Sequence, residues 1–249
     1  MSAYEALAAS YDALTRDIAY EETLRFLEAV LQALDAAPET VLDLACGTGS
    51  LSVLMARRGW RVTGVDCAPE MLTAAYDKAL ALEENRPFFA CQRMEALALP
   101  TPVDLAVCCL DSLNYLTSPG DCRETFRRVY EHLNPGGVFF FDINSASKLR
   151  GLDGQVFLDE SDDVYCVWRA EFDPDENICY YGMDLFQRAG GLWRRSFEEH
   201  AEYAYEAEDL ESWLTGAGFS RVCVYGDRVL KVPEPKAQRI YFAAVKEKL

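Results

Sequence analysis

The chain has 249 residues, half of them hydrophobic, which is enough for one sizeable core or one core with an inserted subdomain. Its 41 acids against 24 bases give a formal net charge of -17, a surface that repels nucleic-acid phosphates and anionic lipid and lacks the electrostatic footprint of a nucleic-acid enzyme. The nine cysteines are scattered, with no CxxC pair and no Cys/His ligand spacing, so they read as reduced core thiols; a disulfide framework and a metal site are not expected.

The N-terminus, MSAYEALAASYDALTRD, has no basic segment leading into an apolar core, and no apolar run is as long as a membrane span. The chain therefore reads as soluble and cytoplasmic. Tyr4, Leu7, Tyr11 and Leu14 predict an opening helix, and Leu24, Leu27, Val30, Leu31 and Leu34 a second. Short β-rich runs then alternate with amphipathic segments. Strands are expected at Val41–Ala45, Arg61–Val65, Pro87–Cys91, Asp104–Cys109 and Val138–Ile143. Helices fall between them: one through Leu51, Leu54 and Met55 stopped by Gly59, one opened by Pro69, and one through Phe126, Val129 and Leu133 ended by NPGG.

Near-continuous apolar strands alternating with helices mean a parallel sheet covered on both faces. From about Gly151 the period changes to two: Val164, Cys166, Trp168, Ala170 and Phe172 share one face, and turns at 173–177 and 190–191 predict an antiparallel meander. The helix-and-strand rhythm resumes with Leu210, Trp213 and Leu214, then strands at Arg221–Tyr225 and Arg239–Val245. The expected fold is α/β, a Rossmann-like doubly wound seven-stranded sheet with an inserted antiparallel β cap. Residues 1–150 and 205–249 form the nucleotide-binding domain, and 151–204 form a lid.

The stretch VLDLACGTGSL at 41–51 joins a buried strand to a helix through a glycine turn. In the dinucleotide register G-x-G-x-x-G, Ala45 and Ser50 replace two of the three glycines, which disfavours a pyrophosphate ligand. The register that fits is Asp43, Gly47 and Gly49. A carboxylate at the turn favours a cationic ligand, and a helix N-terminus can receive a carboxylate. Asp66, 23 positions beyond Asp43 at the next strand end, is placed to accept two ribose hydroxyls. A nucleoside joined to a cationic amino acid is S-adenosylmethionine.

VLDLACGTGSL, VTGVDCAPEML and LNPGGVFFFDI, in that order, resemble the class I S-adenosylmethionine-dependent methyltransferase family, and YDALTRDIAY, LDSLNYL and EEH resemble a subgroup of small bacterial members. The resemblance implies that Asp43, Ala45, Gly47 and Gly49 line the methionine moiety, Asp66 takes the ribose, and Cys67 and Met71 flank the adenine. It also implies that Met94 offers backbone to the adenine edge, and that Leu110 and Asp111 lie under the transferred methyl. The chain departs from the pattern at Arg93, where the family often has an acid; either Glu95 substitutes or backbone alone holds the adenine.

Methyl transfer is an in-line displacement in which alignment alone supplies roughly 7–11 kcal/mol, so a dedicated base is optional. The catalytic candidates are Asp111, which follows a buried strand and is otherwise a turn or cap residue; His200, in the meander; and Tyr11, at core spacing with Leu7 and Leu14. His132 reads as a solvated helix residue. LDSLNY lacks the prolines of an NPPY-like sequence, which lowers nucleobase and glutamine amide acceptors. The reading is a methyltransferase for a small-molecule acceptor, through N or O, with no nucleic-acid or membrane partner. The alternative is a non-catalytic S-adenosylmethionine-binding regulatory protein, with a nicotinamide-dependent oxidoreductase a distant third.

Overall fold

The computed structural model describes residues 11–12 and 18–248. Of the expected opening helix, Tyr4, Leu7 and Leu14 lie outside the described residues, and Tyr11 and Asp12 are within them. Helix α1 (Tyr20–Ala33) buries Leu24, Leu27, Val30 and Leu31 on one stripe and carries Glu21 and Glu22 in its first turn, where they complement the helix dipole.

The units that follow are β1 (Thr40–Leu44), α2 (Ser50–Arg57), β2 (Arg61–Asp66), α3 (Pro69–Ala79), β3 (Phe88–Cys91), β4 (Val103–Cys108), α4 (Pro119–Glu131) and β5 (Leu133–Asn144). Pro69 and Pro119 open their helices, where a missing N–H costs nothing. The NPGG expected to lie between helix and strand belongs to β5 instead. It extends the interior strand because Gly136 takes a left-handed φ of 80° and donates its N–H to Lys246 O, so the backbone pairs rather than turning away.

The short helix α5 (Ala146–Gly151), capped by Ser145 Oγ accepting from Lys148 N, leads into β6 (Val156–Glu160), β7 (Val164–Asp173), β8 (Ile178–Ala189) and β9 (Leu192–Tyr203). Helix α6 (Ala207–Ala217), β10 (Arg221–Tyr225) and β11 (Arg239–Val245) close the chain. Neither α5 nor β6 stood out in the sequence. α5 spans under two turns, and β6 exposes most of its residues, so neither carries a clear apolar period.

The seven-stranded sheet has the order β10-β11-β5-β4-β1-β2-β3. β1 to β5 are parallel, as the alternating rhythm predicts, and β11 runs antiparallel to β5 and to β10. β11 can enter antiparallel because the 226–238 connection returns it directly beside β10 with no crossover helix. The strands alternate between two cores: Val41, Val107 and Phe140 face α1, α2 and α3, and Leu42, Cys108, Phe139 and Phe141 face α4 and α6. The strand order reverses between β1 and β4, which opens the ligand-binding crevice of a doubly wound sheet at their carboxyl ends.

β6 to β9 form a separate antiparallel sheet in sequence order. The predicted face of β7 is the covered one: Val164, Cys166 and Ala170 are buried, with Trp168 and Phe172 half-buried. The registers Tyr181↔His200 and Cys179↔Glu202 put His200 and Glu202 on that same face.

Candidate active site

At the switch point the chain after β1 takes left-handed φ at Ala45 (57°), Gly47 (53°) and Gly49 (71°). The two glycines serve different purposes. A Cβ on Gly49 would stand 2.9 Å from Ala75 Cβ and 3.1 Å from Phe89, so this residue lets α2 pack on α3 and β3. A Cβ on Gly47 would meet nothing within 4 Å; it would project into the open space above the turn. That opening leaves the backbone of the turn bare, as a moiety laid along it requires.

The carboxylate of Asp66 is already oriented: Oδ2 accepts from Gly47 N at 2.8 Å and Oδ1 from Ala68 N at 2.9 Å. Each oxygen keeps a lone pair, so the carboxylate offers two acceptors held in place. Burial raises the Asp66 pKa, opposed by these backbone bonds. Asp43 lies beneath the turn rather than in its mouth: it is 2% exposed and accepts from Ser52 Oγ in the first turn of α2. Burial pushes its carboxyl up to about 7.

Cys67 is exposed at the strand end, whereas Met71 is buried with Ala68 against Tyr11. Met94 opens a short 3-10 turn and packs its sulfur 3.9 Å from Cys108 Sγ. Arg93 and Glu95 pair with each other through Nε and Oε1, so the Glu95 carboxylate already has a partner.

Leu110 and Asp111, after β4, are consecutive left-handed residues at φ 61° and 54°, a conformation that costs side-chain-bearing residues about 1–2 kcal/mol each. A buried carboxylate offsets that cost. Asp142 accepts from Leu110 N at 2.8 Å and Asp111 N at 3.1 Å. Arg239 of β11 hydrogen-bonds Asp142 through Nη1 and Asp111 Oδ1 through Nη2 at 2.6 Å. The turn then continues into Ser112–Tyr115, where Asn114 donates to Asn144 O and Tyr203 O and accepts from Asn144 N.

From the second sheet, Glu202 meets this cluster. It accepts from Asn144 Nδ2 at 2.8 Å, and Lys148 Nζ donates to Asn144 Oδ1 at 2.8 Å. Burial first, and then the Asp111 carboxylate, push Glu202 up to about 8, while burial lowers Lys148. His200 is 4% exposed, packs edge-on against Tyr115 at 5.9 Å and pairs through Nε2 with Glu198 at 3.3 Å.

Tyr11 packs against Ala68 and Met71 on one side and Val164, Cys166 and Leu185 of the second sheet on the other. Burial, then Tyr20, Asp111 and other nearby charges, keep its phenol protonated. Next to it, Asp12 accepts from Thr48 Oγ1 at 2.7 Å and pairs with Lys78 at 2.8 Å, over the glycine turn.

Of the residues singled out in the sequence, Gly47 and Asp66 hydrogen-bond directly, Met71 and Tyr11 share a contact cluster, and Asp111 lies among the charges that act on Tyr11. His200 packs on Tyr115, at the end of the Ser112–Tyr115 turn that Asp111 opens. Arg239, Asp142, Asn144, Lys148 and Glu202 went unnoticed. They come from β5, α5, β9 and β11: the register of β5 and β11 sets Arg239 opposite Asn144, and Glu202 and Lys148 reach Asn144 through side-chain hydrogen bonds. Among the described residues no group of three or more His, Cys, Asp or Glu side chains is arranged to hold a metal ion.

Comparison with known proteins agrees with this architecture. A methyltransferase domain family matches residues 41–137. YqeM of Bacillus subtilis (strain 168), whose name places it provisionally among the methyltransferases, is 32% identical over 98% of this chain and 98% of its own. A Geobacillus sp. (strain WCH70) protein with the same provisional class name is 31% identical over 98% and 99%. The crystal structure of an S-adenosylmethionine-dependent methyltransferase from Clostridium acetobutylicum ATCC 824 superposes with a TM-score of 0.87 at 32% identity, covering 98% of this chain and 99% of that one. The chain belongs to the S-adenosylmethionine-dependent methyltransferase family. It is an enzyme with the Rossmann-like fold of that family, and S-adenosylmethionine is its cofactor.

Proposed function

We propose that the protein methylates an N or O atom of a small molecule held between the carboxyl ends of β4 and β5 and the covered face of the four-stranded sheet. The observation that carries this reading is the enclosed polar cluster in which Glu202 of β9 meets Asn144, Lys148 and the Asp111 turn. An enclosed polar cluster at the strand ends suits a compact polar acceptor better than a polymer. Residues 151–204 act as the lid on a cofactor domain formed by 1–150 and 205–249.

In this reading Asp66 accepts the ribose hydroxyls, Cys67 and Met71 flank the adenine, and Met94 backbone meets its edge. Ala45, Gly47 and Gly49 run along the methionine moiety, with the Asp43 charge beneath. When bound, S-adenosylmethionine supplies an electrophilic methyl carbon on a sulfonium that leaves as a neutral thioether. The chain's own residues align the acceptor, exclude water and take up a proton. Leu110 supports the methyl from below, and Asp111, oriented by Arg239, is placed to accept the acceptor's proton. His200 is the second candidate for that role. Tyr11 stays protonated, so it closes the site or donates a hydrogen bond and takes up no proton. The formal charge of -17 argues against a nucleic-acid acceptor, and no helix among the described residues is long and apolar enough to cross a membrane. We place the enzyme in the cytoplasm.

Two measurements check the reading. With methyl-labelled S-adenosylmethionine, label should enter the low-mass fraction of a cell extract; label found only in nucleic acid or protein would sink the small-molecule assignment. Asp66→Ala should weaken binding of S-adenosylhomocysteine about 100-fold by calorimetry, as expected for two hydrogen bonds to a charged group at about 1.5 kcal/mol each. An unchanged affinity would remove Asp66 from the ribose.

A further inference from the structure

We propose that Cys67 and Cys91 are a disulfide-forming pair that closes the adenine side of the cofactor site. Of the nine cysteines, Cys108, Cys109, Cys122, Cys166 and Cys179 are buried, and Cys46 and Cys223 are half-buried. The two exposed thiols, Cys67 and Cys91, are neighbours on adjacent strand ends. β2 and β3 pair in parallel with Asp66 opposite Cys91, so Cys67 is one residue beyond that partner. With strands about 4.8 Å apart and a rise of about 3.3 Å, their Cα atoms stand about 6 Å apart, within the span a disulfide bridges. Cys91 Sγ approaches Cys67 O at 3.6 Å, and the Cys91 thiol is among the groups acting on Cys67.

The oxidant is a hydroperoxide. The Cys91 thiolate attacks its terminal oxygen; the O–O bond breaks and a sulfenic acid forms. The Cys67 sulfur then attacks that sulfur; the S–S bond forms, the S–O bond breaks, and the oxygen leaves as water with the Cys67 proton. Two thiols lose two electrons in all, and the peroxide becomes water and the reduced hydroxyl compound. Burial and the Asp66 carboxylate hold Cys67 protonated, against the pull of Arg93, so Cys67 enters as the thiol that resolves the sulfenic acid and gives its proton to the departing oxygen. The bridge draws the Cys67 side chain onto β3, across the surface the adenine would cover. It also pulls on the turn through which Asp66 holds Ala68 N. The inference rests on the placement of Cys67 beside the adenine proposed above.

The test uses the full-length protein, hydrogen peroxide as oxidant and S-adenosylhomocysteine as ligand. Peroxide should yield a 67–91 linked peptide on non-reducing mapping and weaken S-adenosylhomocysteine binding at least tenfold, with recovery under dithiothreitol. Saturating ligand should slow both the linkage and the alkylation of Cys67. Cys91→Ser should bind the ligand like the reduced wild type and keep that affinity after peroxide. Alkylation of Cys67 at the same rate with and without ligand would overturn the adenine placement, and the inference with it. Protection of Cys67 without a linked peptide, a link with unchanged affinity, or loss of affinity in Cys91→Ser would overturn the inference while the adenine placement stands.

Discussion

At the scale of single residues, two glycines of one turn should respond differently to the same substitution. Gly49→Ala adds a Cβ 2.9 Å from Ala75 Cβ at a left-handed φ of 71°, so backbone strain and overpacking together should cost about 2–5 kcal/mol in urea unfolding. Gly47→Ala meets no atom, and should cost about 1–2 kcal/mol of strain. Its methyl would enter the opening above the turn instead, so S-adenosylhomocysteine affinity should fall more than stability does. Glu202 offers a test by pH. Its folded pKa is raised from 4.5 to about 8, chiefly by burial, so the folded state holds the proton more tightly. The stability this contributes is fully present below the unfolded value and is lost as pH rises through the folded one. Glu202→Gln lacks that dependence. The melting temperature of the wild type relative to Glu202→Gln should therefore fall by several degrees between about pH 5 and about pH 9; a constant difference would contradict the buried, protonated carboxyl.

At the scale of elements, β11 matters most for what it carries to the strand ends. Its antiparallel register sets Arg239 opposite Asn144 and within reach of Asp142 and Asp111. A parallel strand in the same place would carry its first residue to the opposite end of the strands, away from Asp142. Arg239→Met leaves Asp142 buried without its cation, a change that typically costs 3–5 kcal/mol. We expect a loss of about that size in urea unfolding. Arg239→Met with Asp142→Asn should recover part of it, since no charge is then stranded, and a double variant as unstable as the sum of the singles would argue against the pair. Two strained residues, Leu110 and Asp111, depend on this pair through their amides, so the element that closes the sheet also shapes the turn beneath the proposed methyl position.

At the scale of the whole molecule, the two sheets are joined by side chains from distant parts of the chain. Glu202 ties β9 to Asn144, and Tyr11 lies between Met71 of α3 and Val164, Cys166 and Leu185 of the second sheet. Asp12 fastens the same segment to Thr48 and Lys78. Tyr11→Ala should weaken S-adenosylhomocysteine binding about tenfold, near 1.4 kcal/mol, because it opens the seam between α3 and the second sheet. Tyr11→Phe keeps the packing and should bind nearly as the wild type; equal loss in both would assign the effect to the hydroxyl instead.

The sequence by itself determined the strand-turn-helix unit around Gly47, the acid at the end of β2, and the change from an apolar strand rhythm to a two-residue period near Gly151. These are local: φ at a glycine, a carboxylate at a strand end and the period of apolar residues are each written in a few consecutive letters. Tertiary structure alone decided that Asp43 lies under the turn, that β11 runs antiparallel, and that Arg239, Asp142, Asn144, Lys148 and Glu202 meet beside Asp111. Those residues span positions 111 to 239, and no periodicity links them. Their charges became visible as a cluster only where burial removed the water that would otherwise have screened each one from the rest.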